Sequence, residues 1–489
     1  MTKRIISIIA FLVAVTGSFY VGYISNDTVE TPIVEDDPDI NPDGETTITD
    51  EVFLEVLDKL MENHYSRPTK ALLMEGAING MFDILDDPHS TYFDYEEYQN
   101  FQGGFEESYV GIGVTVSFVN EQIIVEAVKD DGPADNEGIL PNDIIVSVDN
   151  EMIVGENRFD TIDRILGEEG TNVTIGIKRT GVENIIQLEM TRAVIENSTV
   201  KFTSFDQGGK TIGYIEVTTF GDETFEKFQE AIETLELMNI DGMIVDLRNN
   251  GGGHLSTVYY MMNEFLINNG KEMFSAEFYS GGEFSTEKYY ASNTTRKPYT
   301  IVTLVNSNSA SASEVFASGM QEQGDYPIIG TKTYGKGTMQ TDLRVTATVG
   351  DRLNISIGKW ITADGNWVHF NGGTDGVTPD IEVNPTVYET AYKVFLIDED
   401  PFVYDTVDPR IQNIQYILNA MGYDVREDGY FDTTTLQAVL TIQNENGLSA
   451  TGELNEETLL VINEALDDYQ DNPMYDTILQ TAMDYLINE

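Results

Sequence analysis

"YTIVTLVNSNSASASEVFASGMQEQG", residues 299–324, runs from an unbroken apolar segment, through three serines at alternate positions, into a helical pattern of small and apolar residues. An apolar run bounded by turn residues reads as a buried strand, and the segment after it as the helix which that strand feeds. A nucleophile on such a turn gains twice: its oxygen projects from a fixed backbone, and the first helix amides face the oxyanion that forms on attack. The alternation puts only one of Ser309, Ser311 and Ser313 at that spot, and the alanines between them leave room for a polypeptide. Serine is also an ordinary helix cap, so this stretch alone leaves a structural role as the default.

The flanks extend an α/β pattern from about Ser198 to Ala391. "KTIGYIEVTTF" (210–220) is a strand, "ETFEKFQEAIETLELM" (223–238) a helix and "DGMIVDLRNN" (241–250) a buried strand ending in a glycine run. Strand, helix, strand with short joints implies a parallel crossover. Further strands follow in "YPIIGTKTYGKGTMQTDLRV" (326–345) and "DRLNISIGKWITADG" (351–365).

The segment "TYGKGTMQ" (333–340) reverses the default for the serines. Lys336 lies between Gly335 and Gly337, where another backbone can approach closely. A lysine acts as general base only when neutral, and apolar burial disfavours its ammonium form. Gln340 offers an uncharged amide that can orient the amine without restoring its proton affinity. An ordinary surface lysine is the alternative.

The chain has 489 residues, more than one core usually serves, and 27 Lys+Arg against 84 Asp+Glu give a net charge of −57. Such a surface repels nucleic acid and anionic lipid headgroups and suits a salty or extracellular medium. The absence of cysteine excludes disulfides, zinc-thiolate sites, a thiol nucleophile and a lipidated cysteine. The four histidines, His64, His89, His254 and His369, are scattered, so no metal site and no cofactor are implied. His254 invites a triad with Asp246, but that leaves the Gly-Lys-Gly motif unexplained. His89, beside Pro88 in a turn, reads as structural.

At the N-terminus, Lys3 and Arg4 precede a mostly apolar run from Ile5 to Ile24, long enough to cross a bilayer core and oriented with the bulk of the chain outside the cytoplasm. The reading is a transmembrane signal anchor over 1–25, a cell-membrane location with a single pass, and an acidic tether over 26–50. Helical apolar spacing fills 51–99. Between about 100 and 193 the pattern turns to short β-type runs with two helices. After an acidic connector, residues 400–466 read as three short amphipathic helices, with "DGYFD" (428–432) and "TGELN" (451–455) as matching helix starts; a final helix over 467–489 packs on the body.

"YVGIGVTV" (109–116) followed by "DGPADNEGILPNDIIVSVDNEMIVG" (131–155) resembles a bacterial PDZ domain. The resemblance implies that amides around Gly111, Ile112, Gly113 and Val114 receive a peptide's C-terminal carboxylate while the strand from Val114 accepts the peptide as an extra strand. Two departures stand out: Asn142 replaces the usual glycine before Asp143, and Leu166 stands where the family commonly has arginine. The block holding "VDLRNNGGG" (245–253), the serine stretch, "TYGKGTMQ" and "GVTPDIEV" (376–383) resembles the S41 carboxyl-terminal processing peptidases. Gly251 departs from the proline often found there. The resemblance implies an α/β protease core of the ClpP/crotonase type over 194–392, with Ser311 as nucleophile, Lys336 as base and Gln340 in support. It also implies an oxyanion hole from the amides of Ala312 and Gly252, and a homodimer formed through the N-terminal helices. The module over 400–466 resembles a peptidoglycan-binding domain. The expected fold is thus multidomain α/β: a helical segment, a β-rich PDZ domain, the protease core and a small helical C-terminal domain. The expected function is a serine endopeptidase acting on protein C-termini; the alternative is a scaffold that binds tails and cell wall without cutting.

Overall fold

A computed structural model describes residues 48–103, 108–119, 122–153, 158–180, 182, 184–196, 198–280, 282–396 and 400–489. The proposed anchor, 1–25, lies outside the described residues; among those described, no helix is long and apolar enough to cross a membrane. The chain divides into two units, Met1–Met81 and Phe82–Glu489. In the first, helix Asp50–Asn63 starts at Thr49, whose side chain accepts the Val52 N–H, and helix Lys70–Asp83 begins after the break at Pro68.

The second unit is built on a six-stranded sheet in the order Val200–Gln207, Lys210–Val217, Gly242–Asp246, Thr300–Val305, Ile328–Gly330, Ile381–Glu382. The first pair is antiparallel and the rest are parallel, as the crossover pattern requires. One face meets helices Thr224–Leu237, Leu255–Asn263 and Ala312–Glu322 in a core that includes Phe228, Met262, Phe316, Met243 and Ile301. The other face is covered by the last helix, Thr477–Asn488, whose Ile478, Leu479, Met483 and Leu486 pack on Ile212, Ile244, Val302 and Ile329. Strand Gly242–Asp246 is therefore buried along its whole length, as its unalternating apolar sequence demands. A second sheet joins Thr338–Arg344, Arg352–Thr362 and the hairpin Glu272–Ser280 with Glu283–Tyr290, and it takes Thr91–Phe93 as a further strand.

The β-rich domain is an antiparallel sheet ordered Val114–Val119, Gln122–Val128, Ile144–Val148, Asn172–Lys178, Ile186–Thr191, with helices Pro133–Asn136 and Arg158–Ile165. Ser108–Gly111 leads in, Ala193–Glu196 leads out, and the two pair as an antiparallel ribbon. The C-terminal module has helices Pro409–Ala420, Thr433–Glu445 and Glu456–Gln470, capped by Asp408, Asp432 and Asn455. Its own core includes Ile414, Phe431, Ile442 and Ile462. The molecule is multidomain, mixing helix and sheet, with a β-rich domain, an α/β core and a helical C-terminal segment.

Candidate active site

Strand Thr300–Val305 delivers the serine stretch to the end of the sheet, and the three serines separate there by role. Ser309 and Ser313 are fully buried. The Ser309 hydroxyl donates to Leu247 O (2.8 Å) and the Ser313 hydroxyl to Asn250 O (2.8 Å), so both tie the turn to the neighbouring strand end. Ser311 sits at φ 56°, ψ −114°, a conformation that residues with a Cβ rarely adopt and that costs about 1–3 kcal/mol. Helix Ala312–Glu322 begins at the next residue, so the Ala312 N–H has no partner within its own helix.

The strained turn is held by Glu314, fully buried one turn into that helix. Its Oε2 accepts the N–H of Ser311 (2.9 Å) and of Lys336 (2.8 Å). Its Oε1 accepts the Gly335 N–H (2.7 Å) and the Thr333 hydroxyl (2.6 Å). One carboxylate thus registers the serine turn against the lysine loop. Burial raises the Glu314 pKa, while these four bonds oppose the rise.

The glycines beside Lys336 allow the close approach expected of them. A Cβ on Gly337 would lie 2.2 Å from Val368 O, and one on Gly335 would lie 3.2 Å from Phe370 N. Trp360 Nε1 donates to Lys336 O (2.9 Å) and Trp367 Nε1 to Gly337 O (2.8 Å), fixing the loop under an indole pair. Burial pulls the Lys336 amine below its ordinary pKa; the carboxylates of Asp87 and Glu314 pull the other way. Gln340 donates through Nε2 to Thr338 Oγ1 (3.0 Å) and Ser356 Oγ (2.9 Å).

On the opposite wall, Gly252 has φ +115°, and a Cβ there would lie 2.9 Å from Ser311 Cβ and 3.2 Å from Ala312 N. Its N–H donates to Asn250 Oδ1 (2.8 Å), closing a small turn. Asp246 accepts from Tyr214 Oη (2.8 Å) and from the Arg248 guanidinium, which reaches on to Asp476 (2.7 Å) at the start of the last helix. His254 faces Asp222 instead, at 3.4 Å, so the Asp246–His254 pairing is not formed.

Ser311, Ala312, Lys336, Gln340 and Gly252 all line one cleft of about 760 Å³. Its remaining walls mix apolar side chains, among them Phe93, Phe278, Met339, Ile357 and Trp360, with polar ones such as Thr91, Gln102, Asp342 and Asn354. His89, read from the sequence as a structural turn residue, also lines it. It enters on the turn before Thr91–Phe93, which pairs with Arg352–Asn354. Nothing in local spacing could reveal this, because a strand pairing distant in sequence carries the histidine there. Glu314 was missed too, although Ser311 and Glu314 form the S-x-x-E pattern of a capping box.

In the β-rich domain, Val114–Val119 is an edge strand. Ile112 O accepts the Ala134 N–H (2.9 Å) and Gly113 O the Lys129 N–H (2.8 Å). In trans peptides this turns the following N–H groups, those of Gly113 and Val114, to the opposite side. Leu166 packs at Gly111, where a Cβ would lie 3.1 Å from its Cδ2. An arginine reaches the turn after Leu166 from the link between strands Ile186–Thr191 and Ala193–Glu196: Arg192 is buried and donates to Ile165 O (2.9 Å), Arg164 O (2.7 Å) and Asn172 O (3.1 Å).

The family model for Peptidase family S41 matches residues 211–383, which span the serine turn, the glycine run and the lysine loop. Full-length relatives extend the likeness across most of the chain. It is 31% identical to the carboxy-terminal processing protease CtpB of Bacillus subtilis (strain 168), over 87% of this chain and 86% of that protein. The chain belongs to peptidase family S41. It is also 32% identical to the carboxy-terminal processing protease CtpA of the same organism, over 82% and 83%, and 31% identical to a probable CtpA-like serine protease of Staphylococcus aureus, over 82% and 77%. Around the S41 core, a PDZ domain matches 124–179, a peptidoglycan binding domain matches 407–462, and the N-terminal domain of the activating protease CtpB matches 12–97.

Proposed function

We propose that this S41 serine peptidase is an endopeptidase that grips a protein's C-terminus in its PDZ groove and cleaves through an acyl-enzyme. Ser311 Oγ attacks the scissile carbonyl carbon as Lys336 Nζ takes its proton. The oxyanion is received by the Ala312 N–H and by the Gly252 N–H, which must leave Asn250 Oδ1 to do so. Lys336 then returns the proton to the leaving amine, leaving an ester on Ser311. A water, deprotonated by Lys336, attacks that ester; the carboxylate product departs and the serine regains its proton. Gln340, anchored through its Nε2, presents its amide oxygen to the lysine. The observation that carries this reading is the placement of a strained helix-start serine and a burial-depressed lysine in one cleft beside a glycine turn.

The PDZ domain gates access, and the amides from Gly111 to Val114 hold the substrate's terminal carboxylate. The chain stands outside the cytoplasm on an N-terminal anchor, its C-terminal module engages peptidoglycan, and it dimerises through the N-terminal helices. Dimerisation is supported by the apolar side chains exposed on helix Asp50–Asn63, among them Phe53, Leu54 and Val56. Incubating an unstructured protein with the purified ectodomain and with its Ser311→Ala variant, then mapping termini by mass spectrometry, tests the reaction. Cleavage by the wild type alone supports it. Cleavage by neither favours a non-proteolytic scaffold, and cleavage by both points to another site.

A further inference from the structure

The turn 86–90 reaches the cleft from the N-terminal side, and the steps above use none of it. Its geometry is fixed by short bonds: Asp87 Oδ1 accepts the His89 N–H (3.1 Å), Asp87 Oδ2 accepts the Ser90 hydroxyl (2.6 Å), and Ser90 Oγ accepts the Ser356 N–H (3.0 Å). Ser356 in turn takes the Gln340 amide (2.9 Å), so the turn and the Gln340 side chain share an anchor. The imidazole of His89 stands against Phe370 and Tyr334, with ring centroids 6.0 and 6.4 Å away. Its Nε2 is buried and has no hydrogen-bond partner. Buried polar atoms are nearly always satisfied, so an acceptor without a protein partner beside this cleft is open to a donor that reaches it.

The titratable groups facing this imidazole are Asp87 on its own turn, Lys336 from the Gly-Lys-Gly loop and His369 from the loop after Arg352–Thr362. Asp87 is an acceptor already engaged. His369 Nδ1 already accepts the Gly337 N–H (3.2 Å). Lys336 is the one member of the set that carries N–H groups on a mobile arm.

We propose that His89 is a positioning residue for Lys336: its Nε2 accepts one N–H of the lysine amine and thereby aims the amine lone pair at the Ser311 hydroxyl. The proposal rests on the Ser311–Lys336 reading. A neutral amine has two N–H groups and one lone pair, and fixing one N–H removes the rotation about Cε–Nζ that would scatter the lone pair. The accepting tautomer carries its proton on Nδ1. His89 gains and loses no proton in the cycle; Lys336 carries it throughout. The role requires a neutral imidazole, and burial, the largest cause, holds the His89 pKa below its ordinary value, with Asp87 opposing.

The test is kcat and KM from pH 5 to 9 on one peptide substrate for the full chain and its His89→Gln, His89→Phe, Lys336→Ala and Ser311→Ala variants. Glutamine can still accept through its amide oxygen, so His89→Gln keeps kcat within about fivefold. His89→Phe loses about 10- to 100-fold in kcat with KM unchanged, a part of the 10²–10⁴ that a general base supplies. In the wild type, log kcat/KM falls on the acid side with a slope that steepens from one to two, because both Lys336 and His89 must be unprotonated. In His89→Gln it stays at one. A His89→Phe enzyme with wild-type kcat, a loss confined to KM, or a slope of two persisting in His89→Gln overturns the proposal. If Lys336→Ala is itself fully active, the underlying dyad fails; if it is dead while His89→Phe is unimpaired, only the histidine assignment fails.

Discussion

Replacing Glu314 by glutamine changes one oxygen for one NH2 at the joint between the Ser311 turn and the Lys336 loop. The carboxylate takes four bonds, from the N–H groups of Ser311, Lys336 and Gly335 and from the Thr333 hydroxyl. Whichever way the new amide turns, its NH2 faces two of those donors. Only the Thr333 hydroxyl can reorient, and its oxygen already accepts the Val377 N–H (2.7 Å). At least one buried N–H is left unmet, at about 1–3 kcal/mol, and the surviving bonds lose their charge assistance. Relief of the buried charge offsets part of this in stability, but not in the placement of Ser311 against Lys336. We therefore expect a misalignment penalty of about 2–4 kcal/mol, roughly 30- to 1000-fold in kcat. Steady-state kinetics on a peptide substrate, with thermal unfolding as a folding control, measures it. A Glu314→Gln enzyme within threefold of wild type and with an unchanged midpoint would refute the claim that this carboxylate sets the register.

Gly252→Ala places a Cβ against Ser311 at a positive φ and disturbs the proposed oxyanion wall, so kcat should fall by about 10²-fold or more while the affinity for a C-terminal peptide, measured by calorimetry, should stay unchanged. Lys336→Met should raise the thermal midpoint near pH 7 while abolishing cleavage. The folded pKa of Lys336 lies below its unfolded value, so the unfolded chain binds more protons and the native lysine opposes stability there; the gain should shrink as pH rises toward 10.5. Arg248→Met strands the buried Asp246 carboxylate and frees Asp476, costing about 3–5 kcal/mol by denaturant titration.

The strand, serine turn and helix were legible because they are contiguous, and the parallel crossover because its joints are short. The burial of Lys336 in the cleft was legible because its flanking glycines mark a close backbone approach. Glu314 escaped because a glutamate in a first helical turn normally reads as solvated, and its burial depends on a loop that arrives later in the chain. His89 escaped because its site is made by the pairing of Thr91–Phe93 with Arg352–Asn354. The unalternating strand Gly242–Asp246 announced a cover on both sheet faces but not which segment supplies it. That cover is Thr477–Asn488, beyond the C-terminal helical module, locked to the strand end through Arg248 and Asp476. Arg192 likewise escaped, because its bonds to Arg164 O and Ile165 O depend on a segment that arrives later in the chain.

The most direct measurement is peptide mapping of the covalent adduct formed with a serine-directed acylating inhibitor, with its formation rate followed in the wild type and in Lys336→Ala. The account predicts a single adduct on Ser311 Oγ, forming about 10²–10⁴ times more slowly without the lysine. An adduct on any other residue, or a rate indifferent to the loss of Lys336, would contradict it.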